Sequence, residues 1–197
     1  MTTPDFATSF PDLKERRVLV IGAGKSGRAA AKLALEQGAQ VTVADRIDLS
    51  RLQRRFEGWS VNLHGGGHPA TLAEGHELIV VSPGVPTDIE LLAVARRVGI
   101  PVWSEVELAW RFCRGRVVGI TGSNGKSTVT AFIGHLLRQA RIPGGTGGNL
   151  DTPFAELLIS DSETAVHAVE LSSFQLETID SFRPDIGVIL NLSLIHI

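Results

Sequence analysis

Short runs of apolar, often β-branched residues alternate along the chain with longer segments whose apolar residues recur at helical spacing. A short apolar run between turn residues is typical of a buried strand, and a recurrence every three or four positions is typical of an amphipathic helix. Strands are therefore predicted at 17–21, 40–45, 78–81, from 102, and at 117–120, 164–171 and 186–191. Helices are predicted from the end of the turn at 22–27 to just before 38 and at 49–56, 88–98, 105–112 and 126–139.

This alternation of strands and helices predicts an α/β fold in which parallel sheets are covered by helices on both faces. The alternation begins again after residues 113–115, which predicts a domain boundary there. We expect residues 1–114 to form a Rossmann-like domain with a parallel sheet. Residues 115–197 are expected to form the first part of a P-loop-type α/β domain.

Three local features are predicted from turn and capping residues. The glycine-rich segment 143–153 is predicted to be a loop. Ser104 followed by Glu107 fits a capping box, in which each side chain bonds the backbone N–H group of the other residue at a helix start. The polar residues 1–12 are expected to be a loosely held lead-in.

Composition and charge limit the partners of the chain. Hydrophobic residues make up 43% of the 197 residues, and the formal net charge is −2 with both signs interspersed. No basic surface for nucleic acid or an anionic membrane is therefore expected, and no apolar stretch approaches the roughly 20 residues that span a bilayer. The single cysteine, Cys113, excludes an internal disulfide. Because the N-terminus lacks a signal-peptide pattern, we expect a cytoplasmic protein. We also expect a monomer, and the interspersed charges indicate small-molecule partners.

A glycine-rich turn between the strand at 117–120 and the helix at 126–139 predicts a phosphate site. Its glycines let backbone N–H groups converge on an anion, Lys126 adds a cation, and hydroxyls at the helix start can hold Mg²⁺. The usual spacing would need glycine at position 120, where the chain has isoleucine. An ordinary strand-to-helix turn is therefore the alternative. The candidate residues are Gly122, Ser123, Asn124, Gly125, Lys126, Ser127 and Thr128.

A second glycine motif follows the first predicted strand. Gly22, Gly24 and Gly27 have the G-x-G-x-x-G spacing at a strand-to-helix turn, and Asp45 ends the next strand. This is the layout of a Rossmann nucleotide site, in which the glycines admit phosphates close to the helix start. The alternative is a structural turn that binds no phosphate.

Two more candidates lie where predicted strands end, which is the edge at which open α/β sheets bind ligands. Gly84 lies in the turn 82–86, which either admits a ligand close to the backbone or is an ordinary Pro-Gly turn. Glu170 lies near the end of the strand at 164–171, where phosphate-binding folds place a carboxylate that holds Mg²⁺. A solvated glutamate is the alternative at that position.

Three stretches of the chain resemble the Mur ligase family. They are Gly119-Ile-Thr-Gly-Ser-Asn-Gly-Lys-Ser-Thr128, Gly147-Gly-Asn149 and Glu170-Leu-Ser-Ser-Phe-Gln-Leu-Glu177. The short spacing between Gly122 and Gly125 is the spacing that this family uses. The last stretch is most similar to the members that add D-glutamate, and the resemblance extends from Arg17 to Ser193.

The resemblance implies an ATP-dependent ligase of peptidoglycan synthesis. In such enzymes ATP phosphorylates the carboxylate of UDP-N-acetylmuramoyl-L-alanine, and the amine of D-glutamate attacks the acyl phosphate. Lys126 and Glu170 are the implied catalytic residues, and residues 122–128 are the implied ATP site. Mg²⁺ is the implied cofactor, with Ser127, Thr128 and Glu170 as its implied ligands.

The resemblance also implies a site for the UDP-linked substrate. The glycine loop of the first domain would then bind the UDP pyrophosphate and no nicotinamide. Other implied residues surround the uridine or position the substrate near ATP. Lys25 and Ser26 are the implied pyrophosphate contacts, and Asp45, Arg46 and Gly84 are implied to surround the uridine. Asn149 and Ser172 are the residues implied to position the substrate.

The end of the chain departs from the family. After residues 191–193 the family continues with Pro-Asp-His, more of the central domain and a C-terminal domain that binds D-glutamate, whereas this chain ends Leu194-Ile-His196-Ile. We therefore expect a truncated ligase whose central domain is incomplete and which is inactive by itself. An NAD-dependent oxidoreductase, which gives Lys126 and Glu170 no role, and a non-catalytic nucleotide-binding module are the alternatives.

Overall fold

The computed structural model describes residues 12–149 and 152–192, without the side chain of Ser160. The predictions for residues 1–11, for residues 150–151 and for residues 193–197, including His196, lie outside the described residues. The described residues form an α/β fold with two parallel sheets, so the predicted fold class is confirmed. The position of the domain boundary stays a prediction.

The first sheet contains five parallel strands in the order β3-β2-β1-β4-β5. This is the strand order of a Rossmann fold, in which the chain winds outward in both directions from its first strand. The strands are β1 (Arg17–Ile21), β2 (Gln40–Ala44), β3 (Val61–His64), β4 (Leu78–Val81) and β5 (Val102–Ser104). The helices are α1 (Lys25–Glu36), α2 (Leu49–Arg55), α3 (Glu90–Arg97) and α4 (Glu105–Phe112), with a 3₁₀ turn at Ala70–Ala73.

The central strand β1 is buried on both faces, which explains why its sequence is a continuous apolar run. Val18 and Val20 pack into a core that contains α1 and α4 residues, whereas Leu19 and Ile21 pack on the opposite face with residues of α3. Because side chains alternate along a strand, one short run contributes to two layers of core.

The second sheet contains four parallel strands in the order β7-β8-β6-β9. The strands β6 and β8 are central, so their carboxyl ends lie side by side. The strands are β6 (Arg116–Thr121), β7 (Thr146–Gly148), β8 (Val166–Glu170) and β9 (Ile186–Ile189). The helices are α5 (Lys126–Gln139), α6 (Phe154–Leu157) and α7 (Ser173–Leu176), with a 3₁₀ turn at Leu158–Ser160.

The prediction that residues 143–153 form only a loop is wrong, because β7 lies within this segment and pairs with β8. Its glycines allow close packing. A Cβ at Gly144 would lie 2.0 Å from the carbonyl oxygen of Val166, and one at Gly148 would lie 2.2 Å from that of Glu170. Glycine in a strand can mark such a close approach of two backbones, and here it does.

Strand β3 was not among the predicted elements. Its sequence, Val-Asn-Leu-His, is half polar, and it lies at the edge of the first sheet beside β2. An edge strand of this composition depends on pairing with its neighbour and carries a weak local signal.

The capping box predicted at Ser104 and Glu107 is half formed. The hydroxyl of Ser104 accepts a hydrogen bond from the backbone N–H of Glu107 at 3.1 Å. The carboxylate of Glu107 does not return to Ser104, because it bonds the Arg111 guanidinium at 2.6 Å and the backbone N–H groups of residues 180–182. The Ser104 backbone N–H instead donates to the carbonyl of Thr178.

One hydrophobic core continues across both sheets. Val20 and Trp103 of the first sheet and Leu108 of α4 belong to the same buried cluster as Phe154 of α6 and Val169 of β8. The two sheets are therefore packed on each other through α1, α4 and α6. Within the described residues, no helix is long and apolar enough to cross a membrane.

Candidate active site

The predicted phosphate loop lies at the carboxyl end of β6 and leads directly into α5. Gly122 and Gly125 have φ values of 142° and 84°, and Gly125 is the residue before the helix start. These left-handed conformations favour glycine, so the loop depends on both residues. No acidic residue belongs to the first turn of α5, so the helix's own side chains do not neutralise the positive end of its dipole.

Lys126, the first residue of α5, folds back over the loop. Its Nζ atom donates hydrogen bonds to the carbonyl oxygens of Gly122 at 2.7 Å and Ser123 at 3.4 Å. The ammonium group is thereby held above the glycines, where it can meet a bound anion.

Asn191 fixes the other side of the phosphate loop. The backbone N–H of Ser123 donates to its carbonyl at 3.0 Å, and the N–H of Asn124 donates to its side-chain oxygen at 2.9 Å. Its side-chain Nδ2 returns a bond to the carbonyl of Asn124 at 3.0 Å. Asn191 was not among the predicted site residues, although its position at the end of a predicted strand was a usable signal.

Glu170 joins the phosphate loop to β7. Its side chain is only 2% exposed. The hydroxyl of Ser127 donates to Oε2 at 2.7 Å, and Nδ2 of Asn149 donates to Oε1 at 3.1 Å. Three residues that the sequence analysis selected separately are therefore in direct contact.

Two other selected residues do not take part in these bonds. Thr128 lies exposed on the first turn of α5. Ser172 caps α7 in a complete capping box with Gln175, whose side-chain oxygen accepts from the Ser172 backbone N–H at 2.9 Å. Gln175 is 1% exposed, so this cap is part of the packed structure.

The glycine loop after β1 depends on close backbone packing. Gly22 has a φ of 96°, and a Cβ there would lie 2.8 Å from Cβ of Ser82. A Cβ at Gly27 would lie 1.8 Å from the carbonyl oxygen of Gly22. The third glycine therefore lets α1 pack against the turn, as the Rossmann motif requires.

Asp45 holds this glycine loop in place. One carboxylate oxygen accepts from the backbone N–H of Ala23 at 2.5 Å, and the other accepts from that of Ile47 at 3.0 Å. Burial opposes ionisation, but these two N–H groups, with the charges of His68 and Arg55, outweigh it and keep the pKa of Asp45 below its usual value. Asp45 is therefore an anion that orients the loop.

A cleft of about 390 Å³ lies between the glycine loop and β7. Its walls come from both sheets, and the turn after β4 closes one side. Arg46 is exposed beside it and Ser172 is not part of its lining. The selected residues that line it are Lys25, Ser26, Asp45, Gly84 and Asn149.

Asn149 belongs both to this cleft and to the Glu170 cluster. The cleft therefore leads to the carboxylate beside the phosphate loop. A ligand that fills the cleft from the glycine loop would reach Asn149, whose side chain bonds Glu170.

Two regions of the chain match models of one protein family. Residues 16–104 match the Mur ligase MurD-like N-terminal domain, and residues 120–197 match the Mur ligase middle domain. The chain is 48% identical over 190 residues to UDP-N-acetylmuramoylalanine--D-glutamate ligase of Anaeromyxobacter dehalogenans, covering 95% of this chain and 41% of that protein. It is 42% identical over 189 residues to the ligase of the same name from Acidobacterium capsulatum, covering 94% of this chain and 41% of that protein.

Solved structures support the fold. The UDP-N-acetylmuramate:L-alanyl-gamma-D-glutamyl-meso-diaminopimelate ligase of Neisseria meningitides superposes with a TM-score of 0.58 at 18% identity, covering 92% of this chain and 62% of that one. The UDP-N-acetylmuramate-alanine ligase of Thermotoga maritima superposes with a TM-score of 0.51 at 20% identity, covering 92% of this chain and 42% of that one.

The chain thus spans about two fifths of the length of the curated relatives that it matches. Its two matched regions follow the order in which the two sheets occur along the chain. The chain belongs to the Mur ligase family, and it contains a MurD-like N-terminal region and a middle-domain region of that family.

Proposed function

We propose that this chain is the part of a cytoplasmic, ADP-forming ligase that binds UDP-N-acetylmuramoyl-L-alanine and activates its carboxylate for joining to D-glutamate in peptidoglycan synthesis. The observation that carries the proposal is the position of Glu170. It bonds Ser127 of the phosphate loop on one side and Asn149 of the substrate cleft on the other. A γ-phosphate and a substrate carboxylate would meet at this carboxylate.

The phosphate loop suits the triphosphate of ATP. The glycine turn at Gly122 and Gly125 brings the backbone close to a bound anion, and the positive end of α5, which begins at Lys126, favours a polyanion. Lys126 already lies over the loop, so its ammonium can move from the carbonyl of Gly122 to the β- and γ-phosphates. This shift would add positive charge where the transferring phosphoryl group develops negative charge.

The donor set beside the loop fits Mg²⁺. Ser127 offers a hydroxyl oxygen and Glu170 a carboxylate oxygen, and these two atoms lie 2.7 Å apart. Hard oxygen donors of this kind are the ligands that Mg²⁺ prefers. When bound, the ion would neutralise phosphate charge and reduce the repulsion between the phosphate and the substrate carboxylate. Thr128 is exposed on the same helical turn and remains a proposed phosphate or Mg²⁺ contact.

The cleft suits the UDP-linked substrate. Lys25 and Ser26 line it at the start of α1, where a pyrophosphate would meet both a cation and the helix N-terminus. Gly84 leaves its side of the cleft open for the uridine, and Asn149 would orient the far end of the substrate near Glu170. Asp45 would act mainly by holding the loop, while Arg46 would reach the uridine from the rim and Ser172 would act from the start of α7.

The proposed reaction has two steps. An oxygen of the substrate carboxylate attacks the γ-phosphorus of ATP, and ADP leaves with the bonding electron pair. The amine of D-glutamate then attacks the acyl carbon, loses a proton, and displaces inorganic phosphate to form the amide. The residues of this chain would bind and align ATP and the substrate carboxylate. The D-glutamate site is proposed to lie in the C-terminal domain of the family.

An NAD-dependent oxidoreductase is a weaker alternative. It would use the glycine loop but would leave the contact between Ser127 and Glu170 without a role. Both carboxylate oxygens of Asp45 also bond backbone N–H groups, at Ala23 and Ile47, so holding a ribose diol would compete with holding the loop.

The proposal is tested on the gene product that contains this chain. ADP release is measured with UDP-N-acetylmuramoyl-L-alanine and D-glutamate, singly and together. We expect steady ADP formation only when both are supplied, and the ligated product in equal amount. ATP hydrolysis that does not depend on either substrate, or a redox change with NAD, would contradict the proposal.

A further inference from the structure

A cluster of three metal-binding residue types lies away from the candidate active site. Cys113 follows α4, Asp161 follows the 3₁₀ turn after α6, and His167 lies near the start of β8. One donor atom from each residue lies within 4.8 Å of the donor atoms of the other two. His167 precedes Glu170 by three residues on β8, so the cluster lies roughly 10 Å along the strand from the proposed Mg²⁺ site.

We propose that Cys113, Asp161 and His167 form a binding site for a divalent transition-metal ion such as Zn²⁺. Thiolate sulfur, imidazole nitrogen and carboxylate oxygen are the ligand types that Zn²⁺ uses in proteins, and three protein ligands with water in the fourth position are a common set. A thiolate and a carboxylate together carry two negative charges. They would balance the charge of the ion, with a neutral imidazole as the third ligand.

The cluster is built into the packed structure. The side chains of His167 and Asp161 are 0% and 6% exposed, and Nε2 of His167 lies 2.9 Å from Oδ1 of Asp161. The other ring nitrogen of His167, Nδ1, is buried and has no hydrogen-bond partner in the described part of the chain. Nδ1 is therefore a ring nitrogen without a partner in the described part of the chain. It can carry the ring proton while Nε2 binds an ion, or a ring flip can turn it toward an ion.

Backbone groups hold the carboxylate and the thiol in position. Asp161 accepts hydrogen bonds from the backbone N–H groups of Arg114 at 2.6 Å and Gly115 at 3.1 Å. The thiol of Cys113 donates to the carbonyl of Gly115 at 3.4 Å. The two N–H bonds to Asp161 orient this ligand before a metal arrives. The thiol of Cys113 would lose its proton, and with it the bond to Gly115, on binding the ion.

Solvent can reach the cluster. A cavity of about 210 Å³ extends to Asp161 between α1 and α6, and Cys113 is only half-buried. Among the three proposed ligands Asp161 lines this cavity, and its volume is large enough for a hydrated ion to approach that carboxylate. Glu36 lines it, so its wall adds a carboxylate on the path of an entering cation.

The ligand types distinguish this site from the proposed Mg²⁺ site. Sulfur and nitrogen donors favour Zn²⁺ or Co²⁺, whereas Mg²⁺ prefers an all-oxygen set such as that of Ser127 and Glu170. An ion in this cluster would tie the segment between the two sheets, at Cys113, to β8 of the second sheet. It would brace that connection and would take no part in phosphate chemistry.

Cobalt spectroscopy tests the proposal. Because the chain contains a single cysteine, a thiolate-to-cobalt charge-transfer band can arise only from Cys113. We expect Co²⁺ titration of the chain to produce this band with saturation at one ion per chain, and Zn²⁺ to abolish it by displacement. A large excess of Mg²⁺ should leave the band unchanged.

Variants assign the ligands. Cys113→Ser should remove the band, and His167→Asn and Asp161→Asn should each weaken Co²⁺ binding at least about tenfold. His135→Asn changes an exposed histidine on α5 and should have no effect. The proposal is overturned by absence of the band in the wild-type chain, by half an ion per chain at saturation, or by unchanged affinity in folded His167→Asn and Asp161→Asn. These results are independent of ligase activity, so they do not depend on the proposed function.

Discussion

The hydroxyl of Ser127 lies 2.7 Å from Oε2 of Glu170, which directly joins the first turn of α5 to the end of β8. Replacing Glu170 with glutamine keeps an oxygen that can accept this bond but removes the charge. We expect Glu170→Gln to weaken Mg²⁺-dependent ADP formation by at least roughly tenfold, because a neutral amide is a poor Mg²⁺ ligand. The measurement is the ADP release rate as a function of Mg²⁺ concentration.

Glu177→Gln is the matched control for this change. Glu177 is exposed after α7, and its replacement should leave the Mg²⁺ dependence unaltered. Equal effects of the two variants would argue that Glu170 contributes only to the overall negative charge of the chain and does not bind Mg²⁺.

Lys126 and Lys25 should affect different steps of the reaction. Lys126→Ala should lower turnover by roughly 100-fold, the usual scale for loss of a group that stabilises transition-state charge, while binding of UDP-N-acetylmuramoyl-L-alanine stays nearly intact. Lys25→Ala should instead weaken substrate binding, because Lys25 lines the cleft and lies away from the phosphate loop. Calorimetric titration and single-turnover ADP release separate the two effects. Loss of both properties in each variant would contradict separate sites.

Glu105 should make stability depend on pH. Its side chain is fully buried at the start of α4, where one carboxyl oxygen accepts from the backbone N–H of Ala155 at 2.6 Å. Burial, reinforced by the charge of Glu156, raises the pKa of Glu105 from 4.5 to about 7. The folded chain therefore keeps a proton that the unfolded chain has lost between these two values. Stability from this group should fall as pH rises through that window, by a total on the order of 3 kcal/mol.

Glu105→Gln isolates this contribution. The amide stays neutral and its oxygen can still accept from Ala155. We expect the free energy of unfolding in urea, taken as variant minus wild type, to increase between about pH 4 and pH 8 by about 3 kcal/mol. Glu156→Gln should move the wild-type transition to lower pH because it removes a neighbouring charge. A difference that does not vary with pH would show that Glu105 is not protonated in the folded chain.

The buried pair of Glu107 and Arg111 should contribute more to stability than an exposed pair of the same spacing. Both side chains are 0% exposed, and the Arg111 guanidinium also lies 4.1 Å from the ring centre of Trp103. Glu107→Gln leaves a buried cation with fewer partners, so we expect a loss of about 3 kcal/mol in the free energy of unfolding.

Lys32 and Glu36 provide the comparison, because they form an exposed pair at 3.9 Å with the same four-residue spacing. Glu36→Gln should cost less than about 1 kcal/mol in the same urea experiment. Similar losses in both variants would mean that burial adds nothing to the Glu107 contact.

Local sequence was sufficient to predict the elements whose signals lie close together in the chain. The segment from β1 to β2 combines an apolar strand, a glycine turn and an alanine-rich helix, and the structure places all three where they were expected. The same is true of β6, the phosphate loop and α5. The contacts of Ser127 and Asn149 with Glu170 were not predicted, because Asn149 reaches Glu170 from the end of β7, a segment expected to be loop.

Features that depend on distant partners could not be predicted in this way. The strand β7 exists because its glycines allow the backbone to approach β8, and composition alone indicates a loop. The carboxylate of Glu107 has the spacing of a cap, yet it bonds Arg111 and backbone N–H groups more than 70 positions away. Asn191 holds the phosphate loop only because β9 pairs with β6.

The hydrophobic core that continues from Val20 and Trp103 to Phe154 and Val169 also bears on how the chain loses its structure. Neither sheet can separate from the other without exposing apolar side chains of both, which is unfavourable in water. Melting of one sheet therefore promotes melting of the other. The two halves of the chain are thermodynamically coupled, and their denaturation is expected to be a single cooperative transition.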